Sequence, residues 1–358
     1  MTEKSYYILV INPGATSTKV SIFQDEKECA CASLSHSEKE LRAFEHITDQ
    51  FQFRFQLIQE FIDKSKYSHI PPDAVVGRGG LLRPVKGGAF AINDKMLNDL
   101  RTAKQGEHAS NLGGLLAHEF AKEAKVPAYI VDPVVVDEME DVARFSGIPE
   151  IERRSVFHAL NQRAVAFQAA EELDIQYEQA NFIVVHMGGG ISIGCHKQGR
   201  VIDVNNALDG DGPFSPERSG GLPAGSLADL CFSGKMTHET IRKAIVGQGG
   251  IVRYLKTNDM REVSKRIENG DEYAKQVMNA MRYQIVKGIG SMAAVLRGKV
   301  HAIILTGGLA RDQILVDEIT QSVDWIGTVI VYPGEREMQA LAEGALRVLR
   351  GEEKVKIY

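Results

Sequence analysis

The sequence predicts an α/β chain made of two related halves, and three observations carry that expectation. Short apolar runs alternate with segments whose apolar residues recur at helical spacing. One pattern occurs twice: Ile8–Phe23 reads ILVINPGATSTKVSIF and Phe182–Val204 reads FIVVHMGGGISIGCHKQGRVIDV. Each copy is an apolar strand, a tight turn rich in Gly with Ser or Thr, a second strand and a polar turn. In the second copy a third strand follows. Another glycine turn closes the strand at Ile303–Leu309, IILTGGL. Glycine lets backbone N–H groups approach phosphate oxygens, and hydroxyls add donors. Three such turns at strand ends can converge on one oligophosphate, so the expected arrangement is two mixed sheets with helices flanking a nucleotide cleft.

The remaining elements follow in order. Residues 38–65 have helical apolar spacing, with Phe51, Phe55, Ile58 and Ile62 on one side. Ala74–Val76 is a short buried strand running into the loop GRGGLLRPVKGG, residues 77–88. Asn93–Ala103 and His108–Lys125 read as helices, and Pro127–Val131 as a strand ending at Asp132. Ser155–Leu173 reads as a long amphipathic helix. Leu208–Gly225 lacks periodicity, and loops of that length are commonly functional. Thr237 can cap a helix running to Val246. Asp271–Arg297 is the longest helical pattern. Val300–Leu305 is another strand, and Thr328–Val331 precedes the last helix, Gly334–Arg350.

A length of 358 residues is long for a single core and points to two domains. A net charge of −5 without any Lys/Arg block argues against nucleic acid or an anionic membrane surface as partner. No apolar stretch is long enough to span a bilayer, and MTEKSYYILV reads as a first core strand rather than a signal peptide. A cytoplasmic location is expected. Cys29 and Cys31 are too close for the usual metal or redox spacing, so the cysteines read as plain thiols in a reducing compartment.

Two motifs fail on context. Gly190–Gly194 matches GxSxG, but strand rather than helix follows it, so it is not a nucleophile elbow. Gly288–Ala293 matches GxGxxG/A inside a helical pattern, where close packing is the simpler account. No P-loop and no HExxH motif occurs. His108, His158 and His186 stand beside Gly, Asn or Ser at element ends, where they can line a site or be structural.

Several spaced segments together carry a family resemblance: INPGATSTK (11–19), VGRGG (76–80), EHASNLGG (107–114), VFHALNQR (156–163), HMGGGISIG (186–194), GPFSPERSGG (212–221), ILTGGLARD (304–312) and PGERE (333–337). The chain resembles the acetate and butyrate kinases of the sugar kinase, heat-shock-70 and actin superfamily. The resemblance implies two ribonuclease-H-like domains, 1–134 plus 339–358 and 135–338, with the last helix returning to the first. It implies ATP/ADP and Mg²⁺, a small carboxylate substrate, and a homo-oligomer, dimer or higher. Asn12 and Ser17 would face the phosphate, with His186 and Gly188, Gly189 and Gly190 forming a second phosphate loop. Gly307 and Gly308 would lie at the adenosine side, and Asp259 and Arg261 would contact adenine and ribose. Arg78 would hold the carboxylate, His158 and Arg218 would meet the transferring phosphoryl group, Asp132 would orient the transition-state groups, and Glu337 would help hold Mg²⁺.

The chain departs from acetate kinases in two places. Ala15-Thr16-Ser17 replaces a run of serines, and the substrate loop continues as Gly79-Gly80-Leu81-Leu82-Arg83. Arg83 is therefore a rival to Arg78, Glu335 stands beside Glu337, and Leu81 and Leu82 are open to two readings, pocket wall or core. The expected acceptor is butyrate or a branched relative. Acetate or propionate is the alternative, and a sugar kinase or an actin-like ATP switch lies further off.

Overall fold

The computed structural model describes residues 4–358. The chain divides into two compact units: one runs up to Val136 and resumes at Arg336–Tyr358, the other is Asp137–Glu335.

The first unit opens with a meander, β1 (Tyr7–Pro13), β2 (Ser17–Gln24) and β3 (Lys27–Ser35). Next come a short α1 (Glu38–Leu41), α2 (Phe51–Lys64), β4 (Ala74–Arg78), β5 (Ala89–Ala91), α3 (Asp94–Arg101), α4 (Asn111–Ala124) and β6 (Ala128–Val131). The second unit contains α5 (Ala159–Glu172) and another meander, β7 (Asn181–Met187), β8 (Ile191–Lys197) and β9 (Arg200–Val204). After it come α6 (Ala224–Phe232), α7 (His238–Ile245), α8 (Ile251–Leu255), α9 (Met260–Glu268) and α10 (Glu272–Val295). This unit closes with β10 (Ala302–Gly307), α11 (Gln313–Val323) and β11 (Thr328–Pro333). Finally α12 (Glu337–Arg350) and β12 (Lys356–Ile357) rejoin the first unit.

The repeated pattern is a repeated topology. One sheet has the order β12-β5-β6-β4-β1-β2-β3 and the other β11-β10-β7-β8-β9. In each, the first meander strand pairs antiparallel with the second and parallel with a later strand: β1 with β4, β7 with β10. The glycine turn after β1 therefore lies beside the carboxyl end of β4, and the turn after β7 beside that of β10. Crevices at the carboxyl ends of parallel strands are where α/β sheets bind ligands.

Side-chain alternation builds the cores. Along β7 and β10, Ile183, Val185, Met187, Ile303 and Leu305 enter the layer under α10, while Phe182, Val184, Ala302 and Ile304 pack on the α5 side. Both faces are apolar because both are covered. Val277, Met281, Ile285 and Ile289 lie on the buried face of α10. Thr237 does cap α7, accepting from the Thr240 N–H. Both look-alike motifs resolve as expected. Ser192 lies within β8, and Gly288 lies within α10, where a Cβ would come 2.4 Å from Ile193 Cδ1.

Some expectations need correction. The first meander also has a third strand, β3; its small and polar residues at an exposed sheet edge gave no apolar run to read. The Ser155 helix begins at Ala159, leaving His158 at its N-cap in non-helical geometry. The last helix begins at Glu337, because Gly334 adopts φ +93° and pairs its backbone with Gly307. Helices α6, α8, α9 and α11 and strands β5 and β12 were not anticipated. Leu82 belongs to the first unit's core at 2% exposure, so it is not a pocket wall.

Close backbone packing generates a stability prediction. A Cβ on Gly77 of β4 would lie 2.1 Å from the Gly113 carbonyl oxygen of α4, a contact that only backbone movement relieves. Gly77→Ala should lower the unfolding free energy by about 3 kcal/mol in a urea titration. Gly290→Ala in α10, where nothing lies within 4 Å, should instead gain roughly 0.5–1 kcal/mol.

Candidate active site

In the first unit the chain leaves β1 through Gly14, Ala15 and Thr16. The Gly14 N–H donates to the Ser17 carbonyl at 2.7 Å. The turn's carbonyls are held from behind by Arg54 of α2. Its Nη1 donates to Gly14 O at 2.9 Å and Ser17 O at 3.1 Å, and its Nη2 to Ala15 O at 3.2 Å. Gln50 Oε1 and Thr18 Oγ1 take its other donors. Arg54 is fully buried, and burial pulls its pKa down to about 10, which still leaves it charged at neutral pH. A buried cation whose hydrogen-bond acceptors are all neutral puts positive potential beneath this turn.

β4 ends beside the turn at Arg78, with Gly77 in register with Ile11. Arg78 Nη1 lies 2.6 Å from Glu337 Oε1 and 3.4 Å from Asn12 Oδ1, and Asn12 Nδ2 donates to Glu337 Oε2 at 2.8 Å. Glu337 is the first residue of α12 and Asn12 is buried in β1. The Arg78 side chain keeps 35% exposure. His108 stands nearby; burial, and secondarily the Arg78 charge, push its pKa below the ordinary histidine value. Its Nδ1 accepts the Ser110 N–H at 3.2 Å, so neutral His108 carries its proton on Nε2.

Arg83 is engaged elsewhere. Its Nε lies 3.0 Å from Asp99 Oδ2, which also accepts from the Tyr358 hydroxyl at 2.9 Å. Asp132 follows β6 with φ +38°; its Oδ1 accepts the Gly88 N–H at 2.6 Å and its own N–H donates to Gly88 O at 3.1 Å. Asp132 thus clasps the end of the loop 77–88.

In the second unit, His158 and His186 stack face to face with ring centroids 3.7 Å apart. His158 Nδ1 lies 2.8 Å from Ser192 Oγ, and His186 Nδ1 lies 2.7 Å from Asn161 Oδ1. His186 Nε2 is 3.4 Å from Glu335 Oε1. Two buried nitrogens here, Asn161 Nδ2 and His186 Nε2, have no hydrogen-bond partner. Buried polar atoms are nearly always paired, so the Asn161 Nδ2 donor fits a ligand oxygen, whereas neutral His186, donating from Nδ1 to Asn161 Oδ1, presents a lone pair at Nε2.

Gly188, Gly189 and Gly190 form the turn after His186. Ser215 Oγ donates to the Gly189 carbonyl at 2.5 Å, holding this turn from behind as Arg54 holds the first. A Cβ on Gly190 would lie 1.9 Å from Arg218 Nη1, so the guanidinium rests against the turn. Arg218 is anchored by Nη1 donating to Ala207 O at 2.5 Å, and burial lowers its pKa. Gly307 adopts φ +91° where a Cβ would collide with the Met187 backbone at 2.3 Å, while Gly308 has open space. Half-buried Asp259 caps α9 and pairs with exposed Arg261 at 2.9 Å. Asn258 ties that helix start to Glu217 at 2.7 Å, and Glu217 lies beside Gly189.

Each unit thus gathers its own expected residues: Asn12, Ser17, Arg78 and Glu337 in the first, His158, His186, Gly188–Gly190 and Arg218 in the second. Arg54, Asn161, Ser192, Ser215 and Glu217 were not anticipated. Arg54 left a readable signal, an arginine on the apolar face set by Phe51, Phe55 and Ile58. The others sit in loops or strands where a polar residue is unremarkable. Among the described residues, no group of three or more His, Cys, Asp or Glu side chains could hold a metal ion.

The acetokinase family matches residues 146–338. Across its whole length the chain is 56% identical over 353 residues to butyrate kinase 2 of Clostridium acetobutylicum, covering 99% of each chain. This chain belongs to the acetokinase family. A probable butyrate kinase of Clostridium botulinum is 52% identical over 354 residues, 99% of this chain and 100% of the relative. Among solved structures, acetate kinase of Porphyromonas gingivalis aligns with TM-score 0.78 at 20% identity, over 96% of this chain and 100% of the other. Propionate kinase of Francisella tularensis aligns with TM-score 0.73 at 20% identity, over 95% and 98%. At that identity the structures establish the fold, the mixed α/β architecture of acetate and propionate kinases.

The Arg54 clasp is open to test. Arg54→Met leaves several carbonyls without their donor and should cost on the order of 3 kcal/mol of stability by urea unfolding. Arg54→Lys keeps the charge but cannot bridge the same acceptors, and should raise KM for ATP more than it lowers stability.

Proposed function

We propose that this chain transfers the γ-phosphoryl group of ATP to the carboxylate of butyrate, forming butyryl phosphate and ADP, and runs the reverse reaction. The observation that carries the reading is the group at the end of β4. It is a cation, Arg78, the last residue of that strand. A hydroxyl acceptor needs a carboxylate to take its proton. A carboxylic acid with a pKa near ~4–5 is already an anion at neutral pH and needs none. Its obstacle is repulsion from the triphosphate, which fixed positive charge removes.

In this reading Arg78 forks onto the substrate carboxylate, as guanidinium geometry favours. The turns at Asn12–Ser17 and His186–Gly190 offer N–H groups and side-chain donors to the phosphates. Arg218 and His158 donate to the equatorial oxygens of the transferring phosphoryl group. Gly307 and Gly308 leave room for the adenosine side, and Asp259 and Arg261 meet adenine and ribose. Glu337 and the Asn12 amide are hard oxygen donors of the kind Mg²⁺ takes, and Glu337 would be its protein carboxylate. When bound, Mg²⁺ neutralises charge on the leaving phosphates. Butyrate as the acid is supported by the relatives at 52–56% identity. A homo-oligomer acting in the cytoplasm belongs to the same reading.

Acyl hydroxamate formation from Mg·ATP, hydroxylamine and a panel of acids tests it. A four-carbon acid buries two more methylenes than acetate, at about 0.8 kcal/mol each, so kcat/KM should favour butyrate by roughly tenfold. Isobutyrate and valerate should be accepted and sugars should be inert. Acetate equal to or better than butyrate would overturn the substrate assignment. In the same assay Arg78→Ala should lose about 10²–10³ in kcat/KM while its circular dichroism spectrum stays unchanged. Turnover within a few-fold of the parent would remove Arg78 from the site.

A further inference from the structure

Behind His158 runs a row of buried polar side chains that the transfer chemistry leaves unused. His158 Nδ1 lies 2.8 Å from Ser192 Oγ, which lies 2.8 Å from Gln162 Nε2. Gln162 Oε1 lies 3.1 Å from His196 Nε2, and His196 Nδ1 lies 2.9 Å from the Tyr177 hydroxyl. Ser192, Gln162 and His196 are completely buried and Tyr177 nearly so.

One contact decides the direction of the whole row. Gln162 Nε2 also lies 3.1 Å from the backbone carbonyl of Ser192, which can only accept. The amide NH₂ therefore faces Ser192, and Oε1 faces His196. Since Oε1 only accepts, His196 donates from Nε2. Burial, with the Arg163 charge second, holds the His196 pKa at about 3, so this ring is neutral and has one N–H. Its Nδ1 accepts, and the Tyr177 hydroxyl donates. On the other side Gln162 donates to Ser192 Oγ. The hydroxyl proton of Ser192 then has His158 Nδ1 as its acceptor, and a buried hydroxyl that leaves its proton unpaired is penalised.

Gly194 supports the arrangement. It sits mid-strand in β8, where a Cβ would lie 2.2 Å from Gln162 Oε1, so glycine keeps the space the amide occupies.

We propose that Tyr177, His196, Gln162 and Ser192 form an oriented donor chain that fixes His158 as its Nε2–H tautomer. They are positioning residues: the ring turns an N–H rather than a lone pair toward phosphoryl oxygens, whose charge a lone pair would repel. The consequence for catalysis rests on the reading that His158 meets the phosphoryl group.

The test uses long-range ¹H–¹⁵N spectra of the full chain labelled in histidine, without substrate, with His158 assigned by its loss in His158→Asn. The parent should show a protonated Nε2 and a hydrogen-bonded, unprotonated Nδ1 on His158. In Gln162→Glu the carboxylate can only accept, so Ser192 donates to it and His158 must donate from Nδ1. That nitrogen should become protonated. Ser192→Ala, a smaller change for the fold, should lose the hydrogen-bonded Nδ1 shift, and Ser192→Thr should restore it. In Ser192→Ala kcat should fall about tenfold with both KM values within about twofold, and Ser192→Thr should recover part of the loss. A parent with Nδ1 protonated, or a Ser192→Ala spectrum identical to the parent, would overturn the donor chain. If the spectra are as expected but His158→Asn turns over normally, the donor chain stands and the phosphoryl role of His158 falls.

Discussion

A turn can present its N–H groups to an anion only if its carbonyl oxygens, which the same anion would repel, are held elsewhere. Both glycine turns in this chain meet that constraint with a side chain from outside the meander. Arg54 collects the carbonyls of Gly14, Ala15 and Ser17. Ser215 collects the carbonyl of Gly189. The repeated sheet order sets these turns at the carboxyl ends of β1 and β7, each beside a parallel strand, β4 ending at Arg78 and β10 ending at Gly307. The close backbone packing at Gly77 and the close approach at Gly307 follow from holding those strand ends in place.

Charge is managed by the same economy. In the proposed reaction two anions are joined, and the groups proposed to face it are guanidinium ions and histidines. Arg78 is held ready by Glu337 and Asn12. Burial, and secondarily the Arg78 charge, lower the His108 pKa. Asp132 accepts the Gly88 N–H and closes a backbone loop. The pattern suits electrostatic stabilisation of phosphoryl transfer rather than acid–base chemistry.

Much of this was legible in the sequence, for reasons that differ by element. The two meanders announced themselves because buried β1 and β7 are continuous apolar runs and their turns are glycine-rich. β3 was hidden because an edge strand with one wet face carries no such run. Arg78 could be singled out by its setting between a buried strand and two glycines; in the fold both arginines hold a carboxylate, Glu337 for Arg78 and Asp99 for Arg83. Leu82 could have lined a pocket or the core, and its packing against the helices of the first unit decides for the core. The supporting residues were illegible for one physical reason. Ser215, Gln162 and Ser192 act through hydrogen bonds to partners between 3 and 34 positions away, and no local periodicity records such pairings.

The central claim is that the glycine turn after β7 receives nucleotide phosphate on its backbone. Gly189 offers the cleanest place to ask. A Cβ there meets only the flexible Glu217 carboxylate at 3.4 Å, so a side chain is tolerated by the protein itself. Calorimetric titration of Gly189→Val with ATP, alongside the parent protein, isolates the ligand's need for bare backbone. The account predicts an unchanged melting temperature and ATP affinity reduced by about tenfold or more, since the loss of even one or two phosphate hydrogen bonds is worth that much. Affinity equal to that of the parent, with the fold intact, would contradict it.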